Sequence, residues 1–228
     1  MPAVSYLIPI KETRVLESSL DTFGIGIISS QRTCDETIGE LPKRIAKYAT
    51  PEERQTAYLI ERKERHGIAQ LFEEPVIKDI ISRMRNVVSR LTVNYVPFGI
   101  DKVEDKSSII DEAERGRPDF KLVLQLDGKK WVKYVEIKIK AQPHIKTQAW
   151  YFDQYVFDQL IAFCDKYEVN PQDVIIAFAY NPNLHEDYKK QEFDPNHWCY
   201  CILSLKEIQE GVENGRYTTY GEGYGAPL

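Results

Sequence analysis

The sequence predicts an α/β fold, a central mixed sheet flanked by helices, and three observations carry that expectation. Residues 120–126 and 131–139 alternate apolar with polar side chains on either side of Asp127-Gly128, the pattern of a β-hairpin. Residues 174–180, Val-Ile-Ile-Ala-Phe-Ala-Tyr, form a nearly unbroken apolar run, typical of a strand buried on both faces. Between them, residues 147–167 place Ala149, Phe152, Val156, Leu160 and Phe163 on one stripe and read as a helix. A hairpin joined by a helical crossover to a buried strand gives a sheet with parallel and antiparallel pairs.

Residues 1–49 hold no convincing motif. Gly24-Ile25-Gly26-Ile27-Ile28 lacks the third glycine and the helix of a dinucleotide-binding loop, so it reads as a short strand or turn. A helix is expected from Thr50, a capping residue followed by Pro51 and Glu53, to about His66, with Gly67 as its stop. A second helix opens at Glu74-Pro75 and carries Ile77, Ile80, Ile81, Met84, Val87, Val88 and Leu91 at three- and four-residue spacing, with Lys78, Arg83, Arg85 and Arg90 elsewhere. Residues 92–98 suit a strand whose Pro97 fits an end or an edge. Residues 101–117 are highly charged and read as a loop with a short helical turn. After the hairpin, the helix and the buried strand come a polar loop at 181–197, a strand at 198–205, a short helix at 205–213 and a loosely ordered glycine-rich tail. The chain divides into an N-terminal segment (1–73) packed on a core (74–205), followed by a C-terminal helix and tail (206–228), all in one structural domain.

The 228 residues are 43% hydrophobic, ample for a core, and no window approaches the roughly 18 apolar residues of a membrane helix. With no charged leader at its start, the chain is expected to be soluble and cytoplasmic, with no membrane partner. Cys34, Cys164, Cys199 and Cys201 match no common zinc spacing and read as buried, reduced thiols. The net charge of −5 argues against a surface that coats nucleic acid broadly.

The chemistry gathers on the hairpin. With Asp127-Gly128 as a two-residue turn, Leu126 faces Lys129 and Asp119 lies across from Glu136, their Cβ atoms about 5 Å apart. Lys138 projects to the same face, while Phe120, Leu122 and Leu124 project to the other. Opposed carboxylates destabilise a strand pair, and a divalent cation would turn that liability into a binding site. Mg²⁺ takes one or two carboxylates and completes its shell with water and phosphate; Mn²⁺ is expected to substitute, and the Ile137 carbonyl is an additional ligand candidate. Such an ion polarises a phosphoryl oxygen and helps generate hydroxide, while Lys138 would orient the attacking water or stabilise transition-state charge. These parts suit phosphodiester hydrolysis.

Pro118-Asp119 followed by Glu136-Ile137-Lys138 at the end of the next strand resembles the signature of the PD-(D/E)XK nuclease superfamily, and the helix–strand–strand–strand–helix–strand order resembles its restriction-endonuclease-like core. The resemblance covers roughly residues 74–180. It implies a Mg²⁺-dependent nuclease with Asp119 and Glu136 as metal ligands and Lys138 as the catalytic lysine. It also implies a further acid on the preceding helix. Among Glu61, Glu64, Glu73 and Glu74, Glu74 is preferred because its helix feeds directly into the core. Gln148 and Gln154 stand where related nucleases place a polar residue near substrate, although Phe152 replaces the tyrosine of the RecB-like Gln-x-x-x-Tyr pattern.

Arg117, Lys140 and Gln148 are candidate substrate contacts. Lys129, Lys130, Lys133 and Lys146 add positive charge around the hairpin, with Arg115 at its entrance. His66 and His144 read as capping or loop residues. The expected activity is DNA cleavage by an endonuclease, of restriction type and as a homodimer, with a viral or recombination-associated exonuclease or a Holliday-junction resolvase left open. The competing class is a non-catalytic interaction module in which Asp119, Glu136 and Lys138 form only a surface charge network.

Overall fold

The computed structural model describes residues 4–26, 34, 51–99, 112–141 and 148–221. Ile27, Ile28, Thr50, His144, Lys146 and the side chains of Glu53 and Glu61 lie outside the described residues. The protein is a mixed α/β structure, with two sheets among the described residues. The larger contains β2 (Arg14–Val15), β3 (Thr92–Pro97), β4 (Phe120–Leu126), β5 (Lys129–Lys140), β7 (Val174–Tyr180) and β8 (Cys199–Ser204), in the order β2-β8-β7-β5-β4-β3. The smaller has β1 (Val4–Pro9) between β6 (Ala149–Asp153) and β9 (Thr218–Gly221).

The hairpin has the register that alternation predicts. Leu126 pairs with Lys129 and Phe120 with Val135, and Asp127 and Gly128 turn the chain at φ 48° and 80°, the positive values a two-residue hairpin requires. β5 runs parallel to β7, with Glu136 beside Ile176 and Lys138 beside Phe178. Every residue of β7 is buried, and β3 with Pro97 forms an edge, as expected.

The two faces of the large sheet bury different partners. Phe120, Leu122, Leu124, Val135, Ile137 and Ala177 pack with Phe72, Val76, Ile80 and Met84 of α1 (Pro51–Val87). Val174, Ile176, Phe178 and Leu203 pack with Leu160 and Phe163 of α3 (Gln154–Tyr167), Ile208 of α5 (Leu205–Glu213) and the small-sheet residues Tyr6, Ile8, Trp150 and Phe152. Tyr200 anchors α1 by donating to Asp79 at 2.6 Å, and Arg83 joins Asp79 to Glu17.

Several expectations are corrected. The two helices separated at Gly67 and Glu74-Pro75 are one continuous α1. An internal proline sacrifices one backbone bond, but the apolar row Ile68, Phe72, Val76 and Ile80 stays on a single buried face through Pro75, and packing outweighs the loss. Gly67 stops nothing; it lets the Tyr188 hydroxyl of α4 (Leu184–Lys190) approach closely. Residues 149–153, expected as the start of a helix, form β6, because Trp150 and Phe152 alternate into the core opposite Ile8 and Tyr6. The polar loop at 181–197 contains α4, fixed by Asp187 accepting from Asn181 and bonding His197, both at 2.9 Å. Thr218–Gly221 is paired with β1 rather than loose. Of the strand and turn expected at Gly24, the turn is found: Gly24 caps the 3-10 helix Leu20–Phe23. Cys34, expected as a reduced thiol, is buried against Cys201 and joined to it as a disulfide. Cys164 and Cys199 are free and buried, and burial pushes both thiols up to about 12.

Two consequences are measurable. Between α2 (Glu112–Arg115) and the hairpin, a methyl group on Gly116 would overlap the Gln159 carbonyl on α3. Backbone cannot swing aside like a side chain, so Gly116→Ala should cost about 3 kcal/mol and lower the melting temperature by roughly 6–12 °C. His185 on α4 has both ring nitrogens buried without a hydrogen-bond partner. Burial pushes its pKa below the ordinary 6.5, Lys189 adds to the fall and Glu64 opposes it. The folded chain therefore resists a proton that the unfolded chain accepts. Stability is full above 6.5 and falls as pH drops from there through the lower folded value. Melting followed from about pH 8 to about pH 5 should show this decline, and His185→Phe should flatten it.

Candidate acid–lysine site

The site forms where β4 ends and β5 continues alone. β4 begins at Phe120, so Asp119 stands just before the ladder, and its carbonyl accepts from Phe98 and Gly99 at 2.8 and 3.2 Å. Its Oδ2 accepts from the Ile137 backbone N–H at 2.7 Å, filling the place that another β4 residue would have taken. A strand residue presents its N–H and C=O to the same flank, so the Ile137 carbonyl faces the side from which Asp119 reaches in. Glu136 and Lys138 project from β5 to the face away from α1. The Lys138 Nζ donates to Glu136 Oε1 at 2.6 Å, and their side chains are 21% and 11% exposed, respectively. Burial alone would lower the Lys138 pKa. Glu136, Asp119, the hydrogen bond to Glu136 and Asp153 more than offset it, holding the ammonium charged above its ordinary 10.5.

The end of the hairpin thus joins Asp119 to the Ile137 backbone and Glu136 to Lys138. Asp153 is the residue sequence reasoning missed. It caps the start of α3 in position, yet its side chain makes no capping bond; Oδ1 accepts instead from Ser5 at 2.8 Å. That partner lies 148 positions away, and no local pattern announces it. Lys140 follows on the same face of β5, and its carbonyl accepts from Asn181 at 3.0 Å.

Other candidates are corrected. Glu74 is ion-paired with Lys78 at 2.8 Å and accepts from the Tyr95 hydroxyl at 3.2 Å. Tyr95 packs against Phe120 at 5.9 Å on the α1 side of the sheet, so Glu74 lies across the sheet from Glu136 and Lys138. Arg117 ion-pairs with Glu114 and its guanidinium lies over Phe98 and Tyr167 at 5.4 and 5.9 Å, which makes it a brace between the hairpin entrance and α3. Gln148 precedes β6 rather than riding a helix, and its carbonyl accepts from Ile10 at 2.9 Å. Gln154 opens α3. Lys133 is buried and tied to Asp173 at 2.8 Å and the Gln172 carbonyl at 3.2 Å, so its charge serves the core.

Among the described residues, no group of three or more His, Cys, Asp or Glu side chains is arranged to hold a metal ion. A cation here would rest on the Asp119 and Glu136 carboxylates, completed by carbonyl, water and phosphate oxygens, a donor set that fits Mg²⁺. No described helix is long and apolar enough to cross a membrane. The fold and site define an α/β protein with two acids and a lysine gathered at the open end of a hairpin. No family model, curated protein or solved structure matches the chain.

Proposed function

We propose that this protein is a Mg²⁺-dependent deoxyribonuclease with a restriction-endonuclease-like core, acting as an endonuclease. The observation that carries the reading is the gathering of Asp119, Glu136 and Lys138 where β4 ends, with Asp119 bonded to the Ile137 N–H at 2.7 Å and Glu136 to Lys138 at 2.6 Å. The succession α1, β3, β4, β5, α3, β7 supports it, with α2 inserted before β4 and β6 before α3.

Asp119, Glu136 and the Ile137 carbonyl would hold the ion, which supplies polarisation of a phosphoryl oxygen and acidification of water when bound. Lys138, kept charged by its acidic neighbours, donates hydrogen bonds toward the scissile phosphate and offsets charge that builds in the transition state. Lys140, next on the same face, extends the positive rim along the strand. A cytoplasmic homodimer would present two such sites to opposite strands of DNA.

The competing reading is a non-catalytic fold whose hairpin end is merely closed by these bonds, and the tight Glu136–Lys138 pair favours it. Incubation with supercoiled plasmid and end-labelled linear DNA, across a titration of Mg²⁺ and Mn²⁺, separates the two. Cleavage that needs the cation and stops with chelator is expected. Intact DNA under every condition overturns the nuclease reading. Discrete fragments from closed circles identify an endonuclease, whereas loss progressing from ends identifies an exonuclease.

A further inference from the structure

The hairpin register sorts the lysines around the acid–lysine site by face. Lys129 stands opposite Leu126, which packs toward α1, and Lys133 is buried against Asp173. Lys121 and Lys130 belong to the other face. Lys121 stands opposite Tyr134 and Lys130 opposite Gln125, in step with Glu136 and Lys138 along β5. Asn94 and Val96 continue this face onto β3, where Val96 is 51% exposed. Between Glu136 and the hairpin tip every residue of the face is partly or fully exposed, and none is acidic. Neither Lys121 nor Lys130 is ion-paired among the described residues. Six residues separate Lys130 from Glu136, a run of about 20 Å, and Lys121 lies roughly 7 Å along it from Glu136 and one strand across.

We propose that this open face seats the double-stranded DNA flanking the cut, with phosphates of one backbone held by Lys121 and Lys130. Each ammonium is a point charge that takes a phosphate without reading a base. A run of about 20 Å matches roughly six base pairs of duplex. Tyr134, the one aromatic residue of these three strands on this face, lies beneath the Lys121 ammonium at 5.9 Å and packs against Phe98 and Phe163, each at 5.4 Å. Its ring is committed to the protein, so the face offers charge but no platform on which an unpaired base would stack. The line from these phosphates to Lys138 rests on the nuclease reading above; the binding itself rests on the two lysines.

The test is fluorescence anisotropy with a labelled blunt duplex of about 20 base pairs and an oligothymidylate of the same length, in EDTA, at salt from about 50 to 200 mM. The wild type should bind the duplex more tightly than the single strand. Lys121→Gln and Lys130→Gln should each weaken duplex binding about fivefold and reduce the slope of log affinity against log salt by about 1. Lys129→Gln removes the same charge from the opposite face and should stay within about twofold of wild type. Lys121→Arg and Lys130→Arg, which restore the charge, should bind like wild type. Unchanged duplex binding in both face variants, equal loss in Lys129→Gln, or a wild-type preference for the single strand overturns the proposal. Duplex binding that shows these losses, without cleavage in Mg²⁺ or Mn²⁺, would sink the nuclease reading and leave this one standing. Cleavage with unaltered affinity and salt slope in Lys121→Gln and Lys130→Gln would do the reverse.

Discussion

Asp119→Asn should lower the rate of metal-dependent DNA cleavage by about 10³-fold. Removing an anionic ligand costs several kcal/mol of charge stabilisation at the reacting phosphate, and each 1.4 kcal/mol is about tenfold in rate. The substitution is chosen to spare the fold. The variant's side-chain amide would still offer an oxygen to the Ile137 N–H that Asp119 now holds at 2.7 Å, so the melting temperature should stay near that of wild type. Steady-state cleavage of a labelled substrate, run beside a thermal melt, checks both halves. Cleavage by the purified variant at the wild-type rate, with contaminating nuclease excluded, would remove Asp119 from the chemistry.

Trp150→Ala should be the most damaging single change to stability, at about 4 kcal/mol and roughly 8–16 °C in melting temperature for a chain of this size. Trp150 is fully buried and lies parallel to Phe178 of β7, ring centroids 5.5 Å apart. Its indole N–H reaches the Thr13 hydroxyl at 3.4 Å. It is therefore the peg that fixes the small sheet to the large one. Removing it leaves a cavity between two sheets that cannot collapse together, because β6 is also held by its ladder to β1. Calorimetry is the direct measurement. A shift of under about 2 °C would mean that the small sheet docks without this residue.

Asp127-Gly128 made the hairpin legible because a two-residue turn leaves no freedom in register. Once Leu126 faces Lys129, Phe120 falls across from Val135, and Asp119, one residue earlier, reaches the Ile137 N–H. The unbroken apolar run at 174–180 was legible for a similar reason, since a strand covered on both faces has no polar positions to offer. Errors arose where one pattern served two structures. Ala149, Trp150 and Phe152 satisfy a helical stripe and a strand alternation alike, and only the arrival of β1 from the far end of the chain selects the strand. Gly67 and Pro75 are helix-ending signals that a long buried face overrides. Glu74 was misplaced for the same cause: the continuous α1 carries it to the side of the sheet opposite Glu136.

The sequence by itself determined the hairpin, its register and hence the convergence of two acids and a lysine, because these depend on contacts between residues close along the chain. Tertiary structure alone decided the small sheet and the contact of Tyr151 with Tyr220 across it. It also decided the place of Asp153 and the diversion of Arg117 and Lys133 into structural pairs. Each of these depends on partners brought together by burial across long separations. Burial acts on area and shape, and no short stretch of residues encodes which distant surface will meet it.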